Sequence, residues 1–234
     1  HTPIAIEVMK AGFDCYCEKP EAASYHDAKL MMDCAKKLGR KFHVQMSSIM
    51  TPQSRTGRDL IARGQLGTPY YVNLEQCCMR RRPGYDPGLR EFTTNFYTKA
   101  MAGHGPSIDL GIYVIGQILF MLGLPELESV SGFARQAMEL EPKLVANPQG
   151  FGVEDICDGF AKFKNGLGFH FLSTSANNAK EYSMTYILGS KGGLEVTDTD
   201  MAGGKFARPE GVTRPMFGEE PNLRYFGNWN GRDV

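Results

Sequence analysis

The chain of 234 residues carries no excess charge of either sign, because 26 basic side chains balance 26 acidic ones. That leaves no electrostatic footprint for nucleic acid or for an anionic lipid surface. No apolar run reaches the ~20 residues that span a bilayer. The most apolar stretch, Ile108 to Leu124, is broken by Asp109, Gln117 and three glycines, and reads as a buried helix. No signal peptide is visible, and the first residue is His1 rather than Met. Six cysteines (Cys15, Cys17, Cys34, Cys77, Cys78 and Cys157) form no Cys-x-x-Cys pair and no ladder with zinc spacing. Their pattern predicts buried, reduced thiols in a cytosolic protein and no metal site. Also missing is a G-x-G-x-x-G turn after an amino-terminal strand. Gly103-His104-Gly105 lacks the third glycine and a preceding β-run, and Gly166-Leu167-Gly168 lies in a hairpin. A dinucleotide pyrophosphate needs that turn to approach a helix amino terminus.

What is present is ordinary globular material, 42% apolar and 22% charged. Thr2 to Lys10 has helical spacing, with Gly12 as its stop. Phe13 to Cys17 is a nearly continuous apolar run, as in a strand buried on both faces of a parallel sheet. Cys15 and Cys17 share one face of it, whereas Cys77 and Cys78 point to opposite faces. Glu21 to Leu38 is an amphipathic helix, and Phe42 to Met46 a second strand. Helix, strand, helix, strand predicts the second half of a doubly wound α/β domain over residues 1–50.

From about Thr51 the pattern changes. A short helix, Gln53 to Arg63, precedes β-rich runs at Tyr70 to Met79, Ser129 to Ala137, Gly159 to Phe163, Leu167 to Ser173, Tyr182 to Leu188 and Leu194 to Val196. Lys164-Asn165-Gly166-Leu167 signals a hairpin with a type I′ turn. One long helix, Pro106 to Leu122, sits among the strands, and Pro106 suits its first turn. The last thirty residues, rich in Gly and Pro, read as loop. Residues 51–234 therefore predict an α+β domain with a large, mostly antiparallel open sheet and one long helix. One helix is too little to cover so large a sheet. A second copy is the simplest partner for its other face, which predicts a homo-oligomer of at least two subunits.

The chemistry-bearing residues are few. Lys19, in Glu18-Lys19-Pro20, stands at the carboxyl end of a strand, where open α/β sheets place ligands. A cation there can hold a substrate hydroxyl and stabilise a developing alkoxide. Asp109 and Tyr113 lie one turn apart on one helix face. A phenol ionises near pH ~10, so one that serves as a base needs a nearby cation. Arg80-Arg81-Arg82 is the one basic cluster. It reads either as a solvated strand end or as a lip facing substrate or phosphate.

The stretches His1 to Gly12, Asp14 to Pro20, Gly103 to Tyr113, Val153-Glu154-Asp155 and Gly189 to Gly193 run in an order that resembles the glucose-fructose oxidoreductase / inositol dehydrogenase / MocA-like family of NAD(P)-dependent oxidoreductases. The resemblance implies hydride transfer between a sugar-like or polyol secondary alcohol and NAD or NADP. It implies that Lys19 and Tyr113 handle the proton within about 8 Å of each other, while Asp109 orients. It places Glu18, Lys19, Pro20 and His1 beside the cofactor, and Lys19, Arg80, Arg82, Tyr97, Lys99, His104, Asp109 and Tyr113 around the substrate. Glu154 and Asp155 read as structural. Tyr113 stands where many members carry histidine, and His104 where most carry glycine. The resemblance also implies that about 70–90 upstream residues carrying the glycine turn precede His1, the size of a mononucleotide-binding half, and that the chain stops short at its carboxyl end. Two other readings stay open. One is a redox-assisted glycosidase that turns over tightly held NAD; the other is a non-catalytic oligomeric subunit.

Overall fold

A computed structural model describes residues 1–77, 98–139, 152–180, 182–196 and the backbone of 223–226. Helix α1 (Thr2–Lys10), strand β1 (Cys15–Glu18), helix α2 (Tyr25–Leu38) and strand β2 (Phe42–Gln45) come first. Pro3 sits in the first turn of α1, where its missing N–H costs nothing. The Ser24 hydroxyl oxygen caps α2 by accepting the Asp27 N–H at 3.1 Å. That cap starts the helix at Tyr25 rather than at Glu21. β1 and β2 pair in parallel, from Cys15 opposite Phe42 to Glu18 opposite Gln45. Ala5 and Met9 of α1 interlock with Met31 and Ala35 of α2, and Cys15, Cys34 and Phe42 pack against them.

The pair is covered on this face only among the described residues. Tyr16 is 67% exposed and stacks on His43, with ring centroids 5.0 Å apart. The expectation of a strand buried on both faces is corrected accordingly. The run also opens earlier than the strand, because Phe13 lies before β1 and is itself exposed. Cys15 and Cys17 do share the packed face. Cys78 lies outside the described residues, so its orientation relative to Cys77 does too.

A 3-10 turn (Ser47–Met50) leads to α3 (Pro52–Ala62) and then to β3 (Pro69–Cys77). After a one-turn helix, α4 (Lys99–Ala102), a π-helical turn (Ser107–Gly111) runs straight into α5 (Ile112–Met121). Strands β4 (Leu127–Arg135), β5 (Ile156–Phe163), β6 (Gly168–Thr174), β7 (Tyr182–Gly189), β8 (Gly193–Val196) and β9 (Leu223–Phe226) complete the chain order. They form with β3 one seven-stranded sheet in the order β4-β5-β6-β3-β7-β8-β9. Every pairing is antiparallel except β3 with β6.

The sheet is apolar where it meets the helices. Val72 and Leu74 of β3, Phe169 of β6, Ile187 of β7 and Leu194 of β8 pack with Val114, Ile118 and Met121 of α5. Period-two alternation puts these residues on one face. The other face carries Phe133, Phe160, Tyr182 and Met184, each more than 40% exposed. At its centre His170 lies between the side chains of Asn73 (2.8 Å) and Asp158 (3.1 Å).

Three expectations for this region change. The long helix is not α-helical throughout, since its first turn is π. The hairpin at Lys164 to Leu167 forms, but not as a type I′ turn. Only Gly166 has a positive φ (84°), and the Phe163 N–H donates to the Leu167 carbonyl, so the loop has three residues with glycine in the left-handed position. The terminal segment expected as loop contributes β9, which pairs with β8 from Leu223 opposite Val196 to Phe226 opposite Gly193. Four residues are too few to show a period of two against a Gly- and Pro-rich background.

Candidate active site

Lys19 follows directly on β1, and the sequence then turns sharply at Pro20 through a cis peptide bond. The Lys19 N–H donates to the Glu18 carboxylate at 2.9 Å, so Glu18 folds back over its own backbone. His1 Nδ1 donates to the Pro20 carbonyl at 2.9 Å, which ties the start of α1 to this turn. The lysine side chain runs inward and is only 11% exposed. Its ammonium donates twice to Asp109, to the main-chain carbonyl at 2.6 Å and to Oδ1 at 3.0 Å. The same ammonium lies 4.4 Å from the centre of the Tyr113 ring. That contact adds cation–π attraction to a charge-assisted pair. A lysine ammonium has three N–H donors. Two are taken among the described residues.

The helix that supplies Asp109 and Tyr113 is set by its unusual first turn. In an α-helix the Asp109 carbonyl would point along the axis at the N–H four residues on. Widening to a π-turn, a device often found at functional sites, accompanies the acceptance of the lysine by this carbonyl. Neighbouring groups hold the turn. The Ser173 hydroxyl of β6 donates to the Pro106 carbonyl at 3.1 Å, and the Ser107 hydroxyl donates to the Glu154 carboxylate at 2.9 Å. Just upstream, a Cβ placed on Gly105 would lie 2.0 Å from the Glu154 carbonyl oxygen, so only glycine permits this approach.

Together these elements wall a cleft of about 390 Å³, lined by His1, Lys19, Pro20, Ala22, Ala23, Met101, Ala102, His104, Ile108 and Asp109. Of the residues expected from the sequence, His1, Lys19, Pro20, His104 and Asp109 share this cleft, and the Tyr113 ring packs under the ammonium. Glu18 is turned away from the lining, and Lys99 is exposed on α4. Arg80, Arg81, Arg82 and Tyr97 lie outside the described residues. Burial pushes up the carboxyl of Glu21, just beyond Pro20, and the thiol of Cys157. No group of three or more His, Cys, Asp or Glu side chains among the described residues is placed to hold a metal ion. No helix among them is long and apolar enough to cross a membrane.

The linear order gave no sign of the Glu154–Ser107 bond, of Ser173 under Pro106, or of Ala23 and Met101 in the cleft wall. Gly103-x-Gly105 was the one available signal, and it reads as close packing rather than as a phosphate turn.

The chain has relatives among known proteins. The chain is 32% identical over 200 residues to D-glucoside 3-dehydrogenase of Escherichia coli (strain K12), which covers 82% of this chain and 54% of that protein. Among solved structures, an oxidoreductase domain protein from Kribbella flavida matches at 28% identity with a TM-score of 0.71, over 83% of this chain and 51% of that one. A levoglucosan dehydrogenase in complex with NADH matches at 23% identity with a TM-score of 0.70, over 83% and 50%. The chain thus spans about half the length of the relatives it matches. Residues 54–195 match the model of the GFO/IDH/MocA C-terminal domain, and on that match the chain belongs to the GFO/IDH/MocA family.

Proposed function

We propose that the protein is an NAD(P)-dependent oxidoreductase that acts on a secondary alcohol of a sugar-like or polyol substrate. The observation that carries the reading is the Lys19 ammonium at the cleft wall, fixed by two bonds to Asp109 and seated on the Tyr113 ring. A cation so placed, with a donor left over, can hold a substrate hydroxyl and favour its alkoxide. Asp109 keeps that cation from swinging away. Tyr113 offers a phenol beside it for the proton. Support also comes from the relatives, among them a D-glucoside 3-dehydrogenase and a levoglucosan dehydrogenase in complex with NADH.

The cofactor has a place to fit in part. The cleft opens at the carboxyl end of β1, the side on which α/β sheets bind nucleotides, and His1, Lys19 and Pro20 line it. These residues would border the nicotinamide end, and no glycine turn for the pyrophosphate is present in the sequence. Bound there, a nicotinamide supplies the hydride acceptor or donor, while the chain supplies position and charge. On this reading residues 1–50 are the later half of a doubly wound dinucleotide-binding domain. Residues 51–234 then form the substrate-binding and oligomerisation domain.

The test is spectroscopic. Incubated with NAD or NADP and a panel of glucosides, aldoses and polyols, the intact protein should produce a net change in NAD(P)H absorbance. Release of aglycone without net change points instead to a redox-assisted glycosidase. Neither signal with any substrate refutes the enzymatic reading. The open sheet face bearing Phe133, Phe160, Tyr182 and Met184 further supports self-association. Light scattering at micromolar concentration should give at least a dimer, and a monomer there would count against it.

A further inference from the structure

The π-turn that presents Asp109 to Lys19 is held from outside the cleft. Ser107, its first residue, donates to Oε1 of Glu154 at 2.9 Å. One residue earlier, the Pro106 carbonyl accepts from Ser173 at 3.1 Å. Glu154 is itself immobilised by its successor. The Asp155 carboxylate, fully buried, accepts the N–H groups of Ala137 (3.0 and 3.1 Å) and Met138 (2.8 Å) beyond the end of β4. The Asp155 main chain bonds to Arg135 and Ser175 at 2.9 Å each. The Glu154 backbone presses on Gly105, so carboxylate and carbonyl of one residue grip the segment just before the turn and the first residue of the turn.

A π-turn is a minority backbone state beside the α-helix that follows it. Relaxed to α geometry, the turn would commit the Asp109 carbonyl to the N–H of Tyr113 and rotate the Asp109 side chain around the axis. Both acceptors of Lys19 would then move. We propose that Glu154 is a positioning residue: through Ser107 it keeps the turn in its π register and so sets the Asp109–Lys19 couple. The proposal rests on the oxidoreductase reading for its effect on turnover, but its geometric content does not.

Glu154→Ala and Ser107→Ala each cut the same tie, while Glu154→Gln keeps an oxygen for the Ser107 hydroxyl. In the intact protein both alanine variants should lower kcat by about tenfold to a hundredfold, the scale of a displaced catalytic group. KM for the cofactor should move less than about threefold, and the double variant should be no slower than either single one, because one interaction is lost. Glu154→Gln should retain kcat within about threefold. Independently of turnover, the ¹⁵N resonance of the Lys19 ammonium, assigned by its disappearance in Lys19→Met, should move in both alanine variants and stay in place in Glu154→Gln. If Glu154→Ala fails to fold, Ser107→Ala, which removes a single oxygen, gives the same reading. An unmoved Lys19 resonance in Ser107→Ala, with only thermal stability reduced, overturns the proposal. Should the native protein turn over no alcohol at all, the oxidoreductase reading fails by itself and the resonance still decides the role of Glu154.

Discussion

If the proposed oxidoreductase function holds, replacing Lys19 by methionine should abolish turnover and cost almost no stability. Methionine keeps the apolar stem that fills the path from β1 to the helix. What leaves is an ammonium with two bonds to Asp109 and a ring contact to Tyr113. On the stability side the pair is only partly sheltered, with side chains 11% and 37% exposed. Asp109 is open enough for water to replace the lost donor, and solvent screening reduces the pair to the range of exposed bridges, about 0–1 kcal/mol. Removing a desolvated cation offsets part of even that. For a chain of this size 1 kcal/mol corresponds to about 2–4 °C in Tm. On the catalytic side a group that holds the reacting oxygen contributes about 10²–10⁴-fold, or about 2.7–5.4 kcal/mol at 1.36 per decade. The loss of transition-state stabilisation should therefore exceed the loss of folding stability several-fold. Thermal unfolding and kcat/KM on one preparation measure both quantities. Turnover within about threefold of native would remove Lys19 from the mechanism. A Tm lowered by more than about 10 °C with turnover intact would make it a structural residue.

Tyr113→Phe preserves the ring on which the ammonium rests and deletes the hydroxyl alone, so Tm should hold while kcat falls about 10²-fold or more; equal loss of both would show that the phenol serves packing. Gly105→Ala puts a Cβ 2.0 Å from the Glu154 carbonyl oxygen. The backbone must shift, and urea unfolding should register about 1–3 kcal/mol, with no change indicating that the segment yields freely. Burial raises the thiols of Cys17, Cys77 and Cys157, so above pH ~8.5 the unfolded chain gives up these protons before the folded one does. Stability from this source is complete below that pH and drains as pH rises further. The urea midpoint should accordingly fall between pH 7.5 and pH 10, and a rise would contradict the assignment.

Elements whose apolar period is long enough are legible in the sequence: α1 with its Gly12 stop, α3, and strands β3 to β8 to within a few residues at each end. Lys19, Asp109 and Tyr113 form patterns along the chain, a cation after a strand and an acid with a phenol one turn apart, and the family resemblance is what made them site candidates. Their convergence was expected only through the family resemblance, since no spacing along the chain shows that two segments remote in sequence meet. The π-turn was hidden because Ser107 to Gly111 opens the same apolar helical period as the α-helix that follows it. Its register is decided by Ser173 and Glu154, which belong to other elements. The exposure of Tyr16 was missed for the opposite reason. Cys-Tyr-Cys reads as a buried run, and only the placement of both helices on one side of β1 and β2 shows which residues face outward.

The parallel pairing of β3 with β6 has a consequence for how the molecule comes into being. Tyr71 lies between Gly168 on one side and Leu188 on the other, partners that follow it by about a hundred residues. During synthesis the middle of the sheet is thus translated first and waits about a hundred residues for a partner. For several seconds at ribosomal speed, Val72 and Leu74 have no strand on either flank, and a chaperone or a neighbouring nascent chain can reach them. Ser173, which holds the helix beneath the cleft, arrives within that same late stretch. Lys19 is therefore made early but acquires its setting only when the sheet closes, so truncated products should lack the candidate site as well as the core.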